Sequence, residues 1–492
     1  MEGLPHNLYR AAQVRELDRI AIEECAIPGE VLMTRAGQAA FAALRAHWPD
    51  SRSIVVLCGT GNNGGDGYVV ARLAREAGLE VTVLQLGDAA RVGGDARLAR
   101  EALLAAGVTI TPYAGQSLQG YDVVVDALLG TGLERPLEGP WRDAVAAIRR
   151  ASGHVLAIDI PTGLHADRGS VLGTAVEADL TITFIGVKQG LLTGQGLDAC
   201  GTLLYDDLGV PEALFRRLVP SAVAGDALQL RRVLPRRARN SHKGCFGHVL
   251  VVGGEQGMSG AARLAGEAAA RCGAGLVSIA TRAAHAAVLN LSRPELMAHG
   301  VEDAAVLPPL FSRATVLAIG PGLGRGEWGR RMLAACLESP LPKVMDADAL
   351  TLLAQEPLRR DDWVLMPHPG EAARLLGISS RDIQADRFQA AREIQGRYGG
   401  VCVLKGAGTL VQGDGRATVV CMAGNPGMAV GGMGDVLTGV IAALLAQGLG
   451  PMAAACHGAI LHARAGDRAA REGERGLLAG DLMACLRHLV NG

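Results

Sequence analysis

Aromatic residues are scarce in this chain of 492 residues: six Phe, six Tyr and four Trp. Any core must therefore be packed mainly by Ala, Leu, Val and Gly. A surplus of charge of either sign is also missing, with 48 Lys and Arg against 49 Asp and Glu. Nucleic-acid binders usually carry a basic excess, so that class is not expected. The ten cysteines are dispersed, with no C-x-x-C pair. This speaks against a zinc site or a disulfide framework and for reduced thiols in a cytoplasmic protein. No apolar run approaches the ~20 residues that span a bilayer. The first residues lack a charged region followed by an apolar one, so neither a membrane partner nor a secretory leader is expected.

Glycine, by contrast, is abundant at 67 residues, roughly twice ordinary usage. It follows no Gly-X-Y period, so tight turns and close backbone–ligand approaches are the better reading. The length exceeds one ordinary core and predicts two or three domains. Short apolar runs at residues 54–58, 80–84, 122–126, 154–158 and 179–184 alternate with Ala- and Leu-rich stretches such as 67–77 and 94–106. Strands that read as continuous apolar runs between helices predict a parallel sheet covered on both faces. Residues 208–247 break the alternation with prolines from Pro211 onward and with Arg231, Arg232, Arg236, Arg237, Arg239 and Lys243. The segment reads as an interdomain region with its boundary near 218–230; its basic cluster is either a solvated connector or a phosphate contact. Alternation then resumes, with strands predicted at 248–252, 276–280, 315–319, 343–346, 363–366, 401–404, 408–412 and 418–422. The fold class is thus α/β, in two units of about 1–220 and 221–492.

Two glycine-plus-aspartate strings carry the chemistry. In the first half a buried strand enters Gly59-Thr60-Gly61-Asn62-Asn63-Gly64-Gly65-Asp66-Gly67. Strand C-terminal ends are where open α/β sheets place ligands, and free N–H groups at a helix start favour anions. Glycines there let the backbone approach a phosphate, and Asp66 suits either an N-cap or a ligand role. Two further strand ends carry Asp126, leading to Leu129-Gly130-Thr131-Gly132-Leu133, and Asp159, leading to Ile160-Pro161-Thr162-Gly163. In the second half Gly431-Gly432-Met433-Gly434-Asp435 opens an apolar helix predicted at 435–445. An Asp there can deprotonate a hydroxyl while backbone N–H groups stabilise a transferring phosphoryl group; otherwise it is an N-cap. Lys405-Gly406-Ala407-Gly408-Thr409, His368-Pro369-Gly370-Glu371, Gly320-Pro321-Gly322-Leu323-Gly324 and the Gly253–Ala262 region each follow a predicted strand and converge on one predicted cleft.

GNNGGDG, DxLLGTG and IDIPTG together resemble the epimerase domain of NAD(P)H-hydrate repair enzymes, over about residues 10–215. The resemblance implies a Rossmann-like domain in which Asn62, Asn63, Gly64, Gly65, Asp66, Gly130, Thr131, Gly132, Leu133, Glu134, Arg135 and Pro136 hold the dinucleotide. Trp141 would lie nearby and Asp159 would work at the hydrated ring. Asn63, Asp126 and Thr162 would ligate K+. Leu129 stands where the family often has Phe, and Thr162 where it often has Ser. From about Asn240 onward, NSHKG, GPGLG, HPGE, KGAGT and GGMGD resemble the ribokinase-like superfamily and, within it, the ADP- or ATP-dependent NAD(P)H-hydrate dehydratases. That implies ADP on Lys405, Gly406, Ala407, Gly408, Thr409 and Gly434. It implies the hydrated dinucleotide on Ala261, Gly324, His368, Pro369, Gly370, Glu371, Ala372, Ala373, Arg374 and Asp435, with Asp435 as base. ADP is favoured over ATP, with Mg2+ to neutralise phosphoryl charge.

The expected function is repair of hydrated NADH or NADPH by C6 epimerisation and ADP-dependent dehydration. Small-molecule ligands and a homo-oligomeric assembly are expected. Rival readings are a small-molecule kinase with an accessory domain, and a first half that only binds nucleotides or a partner. Asp159 could likewise be an unreactive acceptor that orients the ribose.

Overall fold

The computed structural model describes residues 3–225 and 233–491. Chain contacts divide it into two compact units, Met1–Val223 and Ala224–Gly492. Arg231 and Arg232 of the expected basic cluster, and residues 226–230 of the expected boundary, lie outside the described residues.

In the first unit a short strand β1 (Asn7–Tyr9) is followed by β2 (Ser53–Cys58), β3 (Glu80–Gln85), β4 (Ile110–Pro112), β5 (Val123–Ala127), β6 (His154–Ile158), β7 (Leu180–Phe184), β8 (Val187–Lys188), β9 (Thr202–Asp206) and β10 (Ala222–Ala224). The sheet runs β4-β3-β2-β5-β6-β7-β9, with every pair parallel. Its strands read as unbroken apolar runs because both faces are covered. Ile54 and Val56 enter one core cluster while Val55 and Leu57 enter another. Strand order reverses at β2 and β5, and such a switch point opens a crevice at the carboxyl ends of the strands. The loops after β2 and β5 both leave from there. β1 pairs separately, antiparallel to β10 through Leu8↔Ala222 and parallel to β8 through Tyr9↔Lys188.

In the second unit the order is β13 (Met297–Gly300), β12 (Leu276–Thr281), β11 (His248–Val252), β14 (Val316–Ile319), β15 (Lys343–Met345), β16 (Trp363–Leu365), β17 (Val401–Leu404), β18 (Thr409–Gln412) and β19 (Thr418–Cys421). The ladder is parallel from β13 to β17 and antiparallel from β17 to β19. With few aromatics available, small residues set the packing. Helices Ser259–Arg271 and Met433–Ala446 approach so closely that a Cβ on Gly439 would lie 2.0 Å from the Ala265 carbonyl oxygen.

Predicted strand ends differ from observed ones by a residue or two. β1, β4, β8, β9, β10 and β13 were not anticipated; all but β9 have four residues or fewer, and sequences such as Ile110-Thr111-Pro112 and Met297-Ala298-His299-Gly300 do not stand out from loops. Among the described residues no helix is long and apolar enough to cross a membrane.

Candidate functional site

The predicted glycine turn of the first unit is itself helix. Asn62–Glu76 is helical, with Gly61 as N-cap, so the helix starts five residues before the expected 67–77. Asp66 therefore lies in the second turn, and the N-cap role considered for it is not the one it has. Several of the glycines also have a reason beyond the one expected. A Cβ on Gly64 would meet the Gly59 carbonyl oxygen at 2.2 Å, one on Gly67 would meet Ala127 Cβ at 2.5 Å, and one on Gly59 would meet the Leu128 carbonyl oxygen at 1.9 Å. These positions are small because protein packs against them. Gly61 alone of this group has nothing within 4 Å of a built Cβ. Gly64→Ala is thus expected to destabilise the ligand-free first unit by ~1–3 kcal/mol through overpacking, and Gly61→Ala by about 0.5 kcal/mol or less. Denaturant unfolding of both variants checks this, and equal stabilities would contradict it.

Around these loops lies a cavity of about 1100 Å³. Asn62, Asn63, Asp66, the run Gly130–Pro136, Trp141 and Asp159 all line it. Gly64, Gly65, Asp126 and Thr162 stand behind that wall. Asp126, 0% exposed, accepts from the Leu128 N–H (3.2 Å) and the Thr162 O–H (2.7 Å) on Oδ1, and from the Thr162 N–H (2.8 Å) on Oδ2. Burial pushes its carboxyl up to about 6, against the pull of these donors. Asn63 is 8% exposed, yet among the described residues neither its Oδ1 nor its Nδ2 has a hydrogen-bond partner. Such orphaned amide atoms are costly unless something outside the protein satisfies them. A Cβ built on Gly130 would lie 3.6 Å from Asn63 Cγ and 3.6 Å from Asp159 Oδ2, so both side chains come close to one small residue.

Asp159 follows β6 with φ of 66°, a conformation L-residues other than Asn and Asp seldom adopt. Its carboxylate is held by Lys188 Nζ and, at 3.3 Å, by the Thr183 hydroxyl. The Lys188 ammonium, 1% exposed, also donates to Thr183 Oγ1 (3.0 Å) and to the Phe184 carbonyl (3.3 Å). A buried lysine with one carboxylate partner was not anticipated; the signal was a Lys inside the apolar stretch Phe184–Leu191, where a cation needs a partner. Burial, with Asp159 and Asp18 adding to it and Lys188 opposing, holds the Asp66 carboxyl well above its usual range.

In the second unit the helix runs Met433–Ala446, capped by Gly432 with φ of 91°. Asp435 is in its first turn and is not the N-cap. Gly434 faces the strand ends: a Cβ there would lie 3.1 Å from Asp346 Oδ2 and 3.2 Å from Lys405 Nζ. Asp346, 1% exposed, pairs with Lys405 and accepts from the Ala347 N–H (2.8 Å) and the Thr438 hydroxyl (3.1 Å). Lys405 also reaches Glu371 at 3.7 Å. Burial alone would lower the Lys405 ammonium, but Asp346, Glu371 and Asp435 together raise it. Burial raises Glu371 and Asp435, each to about 7, with Lys405 opposing and Asp346 adding in both. His368 caps the helix Pro369–Leu376: its Nδ1 accepts from the Gly370 N–H at 2.9 Å, and Glu371 Oε2 accepts from the His368 N–H at 2.8 Å. Burial and Lys405 lower its imidazole.

The remaining predicted residues gather nearby. The Gly324 N–H donates to Asp348 Oδ2 at 3.0 Å, two residues from Asp346. The loop 253–255 is bonded to Pro321 and Gly322 through Gly254 N–H (3.0 Å) and Glu255 N–H (2.6 Å). Ala261 Cβ would lie 3.2 Å from a Cβ on Gly322. The Thr409 hydroxyl donates to the Gly406 carbonyl at 2.9 Å, closing the 405–409 loop on itself. Asp346, at the end of a strand that was anticipated, was given no role from sequence; it is the group that ties Lys405 to the Asp435 helix.

Residues 249–487 match the family described as NAD(P)H-hydrate dehydratase, and residues 29–190 the family described as YjeF-related protein N-terminus. The chain is 52% identical over 485 residues to the bifunctional NAD(P)H-hydrate repair enzyme Nnr of Coxiella burnetii, covering 98% of this chain and 99% of that one. It is 46% identical over 493 residues to the enzyme of the same name from Escherichia coli K12, covering 99% and 95%. A ribokinase-like superfamily protein from Enterococcus faecalis superposes on 54% of this chain and 94% of its own, with 30% identity and a TM-score of 0.50.

Proposed function

The chain belongs to the bifunctional NAD(P)H-hydrate repair enzymes, and from that premise we propose how its two units divide the work and which residues do it. The first unit exchanges the two C6 epimers of hydrated NADH and NADPH. The second dehydrates the S epimer, using ADP and releasing AMP and phosphate. The observation that carries this reading is the pair of unlike acid–base centres, one at Asp159 and one at Asp435, each beside a lysine at the carboxyl end of a sheet.

In the hydrated ring, C6 bears a hydroxyl next to the ring nitrogen. The nitrogen lone pair expels it as water once a proton is supplied, leaving a planar iminium centre. Water adds back to either face and gives up a proton, and Asp159 is suited to handle that proton. The 1100 Å³ cavity lies just above the roughly 300–1,000 Å³ of ordinary small-molecule sites, as a dinucleotide requires. We assign its phosphates and ribose to Asn62–Asp66 and Gly130–Pro136. In the second unit Asp435 takes the proton of the C6 hydroxyl, and the oxygen attacks the terminal phosphorus of ADP as AMP leaves. The phosphate ester is then expelled by the ring nitrogen, and loss of a C5 proton restores the reduced nicotinamide. Lys405–Thr409 and Gly434 are assigned to ADP, whose anionic groups suit the Lys405 ammonium and the N–H groups of the helix start. His368–Arg374, Gly324 and Ala261 are assigned to the hydrated dinucleotide. Among the described residues no group of three or more His, Cys, Asp or Glu is placed to hold a metal, so Mg2+ enters as the counter-ion of ADP.

A K+ ion at Asn63, Asp126 and Thr162 fits the residues present. The Asn63 carbonyl oxygen is unpartnered. A carboxylate has about four lone-pair positions, of which Asp126 uses three. The ion would supply positive charge beside the substrate phosphates. All ten cysteines are free, which supports the cytoplasm as the compartment.

The deciding assay gives the intact protein both hydrate epimers with ADP, Mg2+ and K+, and follows absorbance at 340 nm. Complete conversion is expected, and replacing K+ by choline should slow only the R fraction. A stop at the S fraction in K+ would leave the protein without its epimerase.

A further inference from the structure

The helix Ala11–Glu23 precedes the segment 29–190 matched in the first unit. It buries Leu17, Ile20 and Ala21 in the core, and turns Arg15, Asp18 and Ile22, spaced three and four residues apart, onto the wall of the cavity. The helix is anchored to both elements that build the Asp159 centre. The β1 strand leading into it pairs Tyr9 with Lys188. Its first N–H, from Ala11, donates to Asp167 Oδ1 at 2.6 Å, on the loop that begins with Asp159. Asp167 in turn receives no freedom to move, because its carbonyl accepts from Gln189 Nε2 at 2.7 Å and its N–H donates to His165 Nδ1 at 3.1 Å. Asp18 therefore has a fixed place on the cavity wall. Among the described residues its carboxyl has no hydrogen bond and no ion pair, although Lys188 and Asp159 both act on it electrostatically. A half-buried carboxyl that is aimed into a ligand cavity and bonded to nothing is available for the ligand.

We propose that Asp18 is the second acid–base group of the epimerase cavity, serving the face of the nicotinamide ring opposite Asp159. The proposal rests on the epimerase reading of the first unit. Inversion at C6 needs a proton donor where the hydroxyl leaves and a proton acceptor where water returns, on opposite faces of one plane. The two carboxyls are unlike in the way this demands. Asp159 is ion-paired with Lys188. Asp18 has no such partner, and burial pushes it up to about 6, with Lys188 opposing and Asp159 adding. In one direction Asp18 gives its proton to the C6 hydroxyl, the C6–O bond breaks, water leaves, and the nitrogen lone pair forms the C=N bond. A water on the other face then bonds to C6, that electron pair returns to nitrogen, and the water's proton passes to Asp159. The reverse direction exchanges the two roles, and solvent resets the protons.

The test uses the full chain and purified hydrate epimers in 18O-labelled water without ADP, corrected for spontaneous exchange. In the wild type both epimers interconvert and both acquire label. In Asp18→Asn, interconversion should fall at least about 100-fold, while one epimer still acquires label without inversion, because Asp159 continues to serve its own face. Asp159→Asn should leave label entering only the other epimer. Wild-type interconversion in Asp18→Asn would overturn the proposal, as would equal loss of label from both epimers, the mark of a merely structural residue. Absence of any enzyme-dependent interconversion in the wild type would instead remove the epimerase reading itself.

Discussion

Asp435→Asn is expected to lower ADP-dependent recovery of 340-nm absorbance from the S hydrate by about 10³-fold or more, because general-base catalysis at a positioned carboxylate is worth roughly 10²–10⁴ and the neighbouring carboxyls Glu371 and Asp346 are engaged elsewhere. Asp435 stands in the first turn of Met433–Ala446. Glu371 belongs to the His368 cap and Asp346 is used up by Lys405, Thr438 and Ala347. Burial first, then Asp346, hold the Asp435 carboxyl up to about 7, with Lys405 opposing. A base must be deprotonated to act, so wild-type dehydration should rise with pH through about 7 and level off above it. The residual rate of the Asn variant should lack that rise. Because Asn has nearly the same shape, the variant should fold. Wild-type turnover in Asp435→Asn would remove the base assignment.

The second large effect is expected in the other unit. Asp159→Asn should slow exchange of the R and S hydrates by about 10²- to 10⁴-fold and leave dehydration of purified S hydrate unchanged, since no residue of the second unit is altered. With both epimers supplied, conversion should stop at the S fraction and continue only at the spontaneous rate. The substitution suits the test because Asn tolerates the left-handed backbone at this position (φ 66°), and its carbonyl can still accept from Lys188. Strained conformations of this kind persist where the surroundings over-determine them, here through the Thr183 and Lys188 donors. Unchanged exchange in Asp159→Asn would leave Asp159 an acceptor that merely orients the ribose.

Much of this was legible beforehand. Buried parallel strands announce themselves as unbroken apolar runs, so β2, β5, β6, β11 and β17 stood out within a residue or two. The glycine strings do fall on turns at strand ends, because a chain turning off a strand end beside other backbone has no room for Cβ. The reason assigned to those glycines was only partly right: at Gly59, Gly64 and Gly67 the close neighbour is protein, and no local pattern distinguishes a protein neighbour from a phosphate. Helix starts were also misjudged at both sites. Asn-Asn-Gly-Gly and Met-Gly have poor helix propensity, and tertiary packing overrode it.

The chain's own pattern of apolar runs, glycines and strand-end aspartates determined two α/β units, the glycine loops at their strand ends, and the two carboxyls to which we assign the acid–base roles, because each of these is written within a dozen consecutive residues. Only the tertiary structure decided their company. Lys188 meets Asp159 across two strands, Asp346 joins Lys405 to the Asp435 helix, and Asp18 reaches the cavity from a helix that carries no motif. A proton's affinity for each carboxyl depends on burial and on charges brought from distant parts of the chain, and those distances exist only once the sheets have formed.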